Sequence, residues 1–176
     1  MNSADLSLKV EESFTKLKIP KQDEEECHML WPTPIIMAKP FTPEFISQLK
    51  KVFMCGNFGE PAMAQHTYEI FQWFRKQNPK ITLGMNTNGA IHTALWWQEL
   101  ANIFNQSRDY VVFSIDGLED TNHIYRRGVI WEKLYRNMKA YSQTGAFAVW
   151  EWLLFEHNQH QVEEARTMAK ELGFEF

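Results

Sequence analysis

Glu60 stands between a glycine and a proline in Cys55-Gly-Asn-Phe-Gly-Glu-Pro61, so its carboxylate rides on a turn that the proline ring stiffens. A carboxylate held this way can pair with a cationic amine. Gly56 and Gly59, just before it, let backbone approach a ligand with no Cβ in the way. Three later stretches have the same polar, turn-forming character: Asn86-Thr-Asn-Gly89, Ser114-Ile-Asp-Gly117, and Glu151 followed by Glu156-His-Asn158. Asn-Gly and Asp-Gly are common loop formers, so each stretch taken singly reads as a turn. Glu151 lies inside the apolar run Ala146–Phe155, where a buried carboxylate is costly unless paired, and it is a candidate for that reason. His66, His157 and His160 have no carboxylate partner at a useful spacing and read as surface or capping residues. Trp96, Trp97, Trp150 and Trp152 read as packing residues. Cys27 and Cys55 match no disulfide framework and no zinc spacing, which leaves two free thiols.

The elements that would position these residues alternate in type. Thr42-Pro43 is a helix start, with Thr as N-cap and Pro at the first helical position, and the helix runs to about Lys50. The apolar run Val52–Cys55 reads as a buried parallel strand ending at Gly56. A helix over His66–Gln77, a strand over Ile81–Met85 and a helix over Ala94–Phe104 follow. Tyr110–Ile115 is the clearest strand, and helices are expected over Trp131–Ser142 and His160–Leu172. Phe174-Glu-Phe176 reads as the start of one more strand. Strands alternating with helices imply βαβ units and a parallel sheet. The four polar stretches then fall at the carboxyl ends of consecutive strands, where such folds bind ligands, and this recurrence favours a shared site over unrelated turns. Residues 1–40 differ: a weak helical pattern over Met1–Pro20, the charged run Lys21–Glu26 and the loop Trp31-Pro-Thr-Pro34 predict a solvated N-terminal segment ahead of one domain, residues 41–176.

With 176 residues, 44% of them hydrophobic and 23% charged, the chain can bury a core. A net charge of −4 with no basic run disfavours nucleic acid as a partner. No apolar run is long enough to span a bilayer and the N-terminus lacks a signal-peptide layout, so a cytoplasmic location off the membrane is expected.

Three motifs in order carry a resemblance. Gly56-Asn-Phe-Gly-Glu-Pro61, Thr87-Asn-Gly89, and Ser114-Ile-Asp-Gly117 with His123 and Tyr125-Arg-Arg-Gly128 resemble the second-, third- and fourth-strand motifs of radical S-adenosylmethionine enzymes over about residues 42–176. The resemblance implies an incomplete parallel (β/α) barrel of the TIM-barrel-like kind, truncated at both ends. It implies S-adenosylmethionine as cofactor, with Gly56, Asn57, Gly59, Glu60, Asn86, Asn88, Ser114, Arg126 and Glu151 around it. Gly59 and Glu60 would meet the amino group and Arg126 the carboxylate. Ser114 would lie near the ribose or carboxylate, Asn86 and Asn88 would line the mouth, Asp116 would shape a turn, and Glu151 would touch adenosine or substrate.

The family also holds a [4Fe–4S] cluster on Cys-x3-Cys-x2-Cys, which supplies the electron for reductive cleavage of the cofactor. That motif is absent here. The chain is therefore expected to be a fragment of a radical enzyme of unknown substrate, or a degenerate module that binds the cofactor or another protein without radical chemistry. An unrelated α/β domain with coincidental turns is the remaining reading. No residue is assigned a catalytic role and no metal site is expected. Open barrel edges would favour self-association.

Overall fold

The computed structural model describes residues 41–56 and 59–176, so the expectations for residues 1–40 and for Asn57 lie outside the described part. Helix α1 (Pro43–Gln48) starts as the sequence predicts, with the Thr42 hydroxyl accepting from the Phe45 N–H at 3.3 Å and proline in the first turn. It stops two residues short of Lys50 because Leu49 turns extended, and the Asn78 side-chain amide donates to the carbonyls of Ile46 and Leu49 at 3.0 and 2.9 Å. Strand β1 (Lys51–Met54), helix α2 (Thr67–Gln77), strand β2 (Thr82–Thr87), helix α3 (Ala94–Ile103) and strand β3 (Tyr110–Ser114) follow. Then come the one-turn helix α4 (Asn122–Tyr125), helix α5 (Trp131–Ser142), strand β4 (Ala148–Glu151) and helix α6 (Val162–Leu172). The short α4 and the 3₁₀ turns at Pro61–Met63 and Gln159–Gln161 leave no periodicity to read and were not anticipated.

The four strands form one parallel sheet in the order β1-β2-β3-β4. Sequential order with right-handed crossovers puts every connecting helix on the same face. Strand alternation agrees. Met54, Leu83, Met85, Val111, Phe113, Ala148 and Trp150 point one way and are buried with Trp97, Leu100, Leu134 and Tyr141 from the helices. Burial pushes the pKa of the Tyr141 hydroxyl upward, and that hydroxyl donates to the Phe147 carbonyl at 3.3 Å.

The other face carries Lys51, Phe53, Asn86, Tyr110, Val112, Ser114, Val149 and Glu151, and Phe53 and Phe147 are each 42% exposed. At its amino-terminal end the Phe53 and Tyr110 rings stack with centroids 6.0 Å apart, with the Lys51 ammonium over both. Phe174–Phe176 begins a further parallel strand beside β4: the Glu175 N–H donates to Ala148 O at 3.0 Å, and the Trp150 N–H to Glu175 O at 2.7 Å. The sheet is open, with four full strands.

Candidate functional site

The polar stretches gather at the carboxyl ends of the strands in two linked pairs. In the first, the Glu60 carboxylate crosses from the β1 loop to the β2 loop. One oxygen accepts from the Thr87 hydroxyl at 2.6 Å and from the Ala62 N–H at 3.1 Å. The other accepts from the Asn88 N–H at 2.7 Å. Three of about four lone-pair positions are thus used within the chain. Asn88 folds its own loop, its side-chain oxygen accepting from Ala90 N–H at 3.0 Å. Gly89 has φ +72° and takes its place against Leu134 and Phe113, where a Cβ would come within 2.8 Å of both side chains. Asn86 lies on the open face of β2 with its Oδ1 buried and unpaired among the described residues. Gly56 is exposed, with nothing near the position of a Cβ, and its carbonyl accepts from Gly59 N–H at 3.2 Å.

His92 strengthens this pair, and nothing in the sequence marked it. It adopts a left-handed φ of +66°, stacks on Trp96 at 4.2 Å, and its Nε2 donates to the Ala62 carbonyl at 2.5 Å. Burial holds its pKa below the ordinary 6.5, against the opposing pull of the Ala62 bond and of Glu60 and Glu69.

In the second pair, Asp116 is the hub. Its side chain is fully buried. One carboxylate oxygen accepts from Arg126 Nε–H at 2.5 Å and the other from the Leu153 N–H at 2.6 Å. Its N–H donates to Asn122 Oδ1 at 3.0 Å, and its carbonyl accepts from Asn158 Nδ2 at 2.7 Å. Gln161 accepts from Leu118 N–H at 3.2 Å and from the Thr121 hydroxyl, and donates to Asp120 at 2.6 Å. Gly117 is required by close approach, since a Cβ would lie 2.4 Å from the Asn122 nitrogen. The pull of Asp116 on Leu153 and of Asn158 on Phe155 ends β4 at Glu151, so the apolar run continues as loop rather than strand.

Asp116 therefore does more than shape a turn. Asn158 lies in a stretch that the sequence marked as polar, whereas Thr121 and Gln161 escaped the sequence reading because isolated amides and hydroxyls carry no periodic signal. Glu151 departs from expectation: its side chain is exposed at the strand end, so the cost of burial does not apply, and the Ser114 hydroxyl donates to it at 3.3 Å. His66 precedes α2 without a capping bond from its side chain, His160 is exposed, and His157 stacks on Phe155 at 5.2 Å.

Two buried aspartates in the fold each hold an arginine, and they differ in one respect. At the amino-terminal edge, Arg75 spends its guanidinium on Asp109 and on the carbonyls of Ile103, Pro79 and Ile81, at 3.3, 3.1 and 2.6 Å. Asp109 in turn accepts from the N–H groups of Leu83 and Gln106, both at 2.8 Å. That clasp is closed. Arg126, at the carboxyl ends, bonds only through Nε among the described residues, and its side chain is 27% exposed. Its Nη groups remain available to a planar anion.

Among the described residues no group of three or more histidine, cysteine or acidic side chains could hold a metal, and Cys55 is a free thiol. No described helix is long and apolar enough to cross a membrane.

No protein-family model matches the chain, and no curated protein matches it. Solved structures do match. Streptococcus suis SuiB, SuiB bound to S-adenosylmethionine and SuiB bound to precursor peptide SuiA each align with a TM-score of 0.56 at 17% identity, over 70% of this chain. The aligned part is 27% of SuiB, or 28% in the S-adenosylmethionine complex, so the chain spans little more than a quarter of that protein's length. At this identity the likeness is one of fold: the parallel α/β unit described above is similar to part of SuiB.

Proposed function

We propose that this chain is part of a radical S-adenosylmethionine barrel and that the ends of its strands hold S-adenosylmethionine. The observation that carries the reading is the half-committed guanidinium of Arg126, an anion receptor at the edge where parallel α/β folds bind ligands. The three ordered motifs support the choice of ligand, as does the fold shared with SuiB, which is seen bound to S-adenosylmethionine. In this reading Arg126 takes the methionine carboxylate, and the remaining lone pair of Glu60 takes the ammonium beside Gly59. Ser114 and Glu151 offer a hydroxyl and a carboxylate to the ribose or adenosine, and Asn86 and Asn88 line the rim. SuiB is also seen with a precursor peptide, and a peptide is the substrate class that this likeness supports.

A [4Fe–4S] cluster would supply the electron for cleaving the sulfonium, but the residues present do not fit one. The cluster needs three thiolates, the sequence contains two cysteines, and only Cys55 lies among the described residues. No step is therefore assigned to a cluster. Radical chemistry requires thiolates from outside this sequence. The cysteine count equally favours a second reading, a module that binds the cofactor without cleaving it.

The test is isothermal titration of the chain with S-adenosylmethionine. Binding is expected, weakened about tenfold or more by Arg126→Gln, the range for a charge-assisted bond. Absence of binding by the unmodified chain would leave only a shared fold. For the second reading, adding a reductant and an exogenous cluster source should yield no 5′-deoxyadenosine.

A further inference from the structure

The closed clasp at Arg75 and the open one at Arg126 use the same two residue types, and each aspartate gives one oxygen to a backbone N–H. The difference lies around the arginine, since Arg75 also donates to three backbone carbonyls and Arg126 to none among the described residues. Asp116 has one oxygen engaged by the Leu153 N–H at 2.6 Å, so only the other meets Arg126, and it meets Nε alone. A guanidinium gripped at Nε keeps its terminal edge, Nη1 and Nη2, and that edge matches a carboxylate bidentately. The grip is firm because a fully buried carboxylate would otherwise stand uncompensated. Asp116 is itself fixed on three sides, by Asn122, Asn158 and Leu153. Tyr125 lies under the guanidinium, 5.2 Å from ring centroid to Cζ, which limits its swing further.

We propose that Asp116 is the positioning residue of Arg126: it holds the guanidinium through Nε so that the Nη edge faces the carboxylate of the methionine group. This rests on the reading that S-adenosylmethionine binds at these strand ends. Asp116 does not touch the ligand and acts only through Arg126. The loop after β4 therefore shares in ligand binding through the Leu153 N–H, although it presents no cationic side chain there.

Two ligands and one spectroscopic signal test the proposal. S-adenosylmethionine carries the carboxylate; 5′-methylthioadenosine keeps the adenosine but lacks the amino-acid end. Asp116→Asn should weaken S-adenosylmethionine about tenfold or more and leave methylthioadenosine unchanged. In an Arg126→Gln background the same change should have no further effect, because Asp116 acts through the missing group. In nitrogen-15 spectra the Arg126 Hε should exchange slowly with solvent in the unmodified chain and rapidly in Asp116→Asn.

Equal losses for both ligands, or a loss that persists without Arg126, would reduce Asp116 to scaffold and overturn the proposal while keeping the cofactor site. Failure of S-adenosylmethionine to bind the unmodified chain overturns the cofactor reading instead, and positioning is then decided by the Hε signal alone: fast exchange in the unmodified chain refutes it. Should Asp116→Asn not fold, Asp116→Glu is informative. It keeps the charge but pushes the guanidinium outward by a methylene, and it should weaken S-adenosylmethionine alone with Hε still protected; unchanged affinity would count against the proposal.

Discussion

Glu60→Gln probes the clasp between the first two loops without changing its shape. The carboxylate accepts three hydrogen bonds, from the Thr87 hydroxyl and from the N–H groups of Ala62 and Asn88. An amide offers one oxygen where two stood. If its NH₂ faces Asn88, a donor meets a donor at 2.7 Å. If it faces Thr87, that hydroxyl can rotate and accept, but the Ala62 N–H loses its partner. Either way at least one charge-assisted bond is lost and another becomes neutral. At about 1.5–3 kcal/mol for a bond to a charged group, a loss of about 3 kcal/mol follows. In a chain of this size that lowers the melting temperature by about 6–12 °C. Thermal denaturation followed by circular dichroism reads it, with Lys80→Gln as an exposed control expected to melt like the parent. Matching melting curves for Glu60→Gln and the parent would refute the clasp and return Glu60 to a role toward ligand alone.

Asp109→Asn should destabilise the fold by about 3–5 kcal/mol, because it breaks a buried pair in which every partner of Arg75 and Asp109 is committed; urea denaturation measures it. His92 has a folded pKa below its ordinary 6.5, so the unfolded chain binds the proton more tightly. Its contribution is therefore present above about pH 6.5 and lost as pH falls through the folded value, a slope that His92→Asn should remove in melting curves taken between pH 7.5 and 5. Anaerobic reconstitution with iron and sulfide should not give a stoichiometric [4Fe–4S] cluster on this chain alone, and a cluster signal in electron paramagnetic resonance after reduction would count against that expectation. The exposed rings of Phe53 and Phe147 on the open face should drive self-association, read by light scattering after size exclusion; a sharp monomer would argue that the face is covered.

The alternation of strands and helices was legible because each helix keeps an apolar stripe and each strand a bounded apolar run. Tyr110–Ser114 and Trp131–Ser142 lie where periodicity puts them. Boundaries moved where side chains intervene: Asn78 shortens α1, and Asp116 with Asn158 halts β4. The loops were legible as polar and glycine-rich, and the close approaches at Gly89 and Gly117 explain two of their glycines. Which loop grips which was not legible. The bond from Thr87 to Glu60 spans 27 residues and that from Leu153 to Asp116 spans 37, and no local pattern encodes pairings of that range. Glu151 misled for a related reason: its apolar neighbours face the helices and the open side in turn, and at the strand end the open side meets solvent.

The loops at the strand ends are joined two by two, Glu60 with Thr87 and Asn88, Asp116 with Leu153 and Asn158. Such coupling constrains how the rim can diverge. An insertion at Asn86–Gly89 or at Leu153–Asn158 would pull on a bonded neighbour and demand a compensating change there. The stretch at Arg127–Ile130 lies beyond the clasps, and can lengthen or change composition without disturbing them. New specificity should therefore accumulate in that segment, and grafts between related proteins should succeed when loops are exchanged as bonded couples rather than singly.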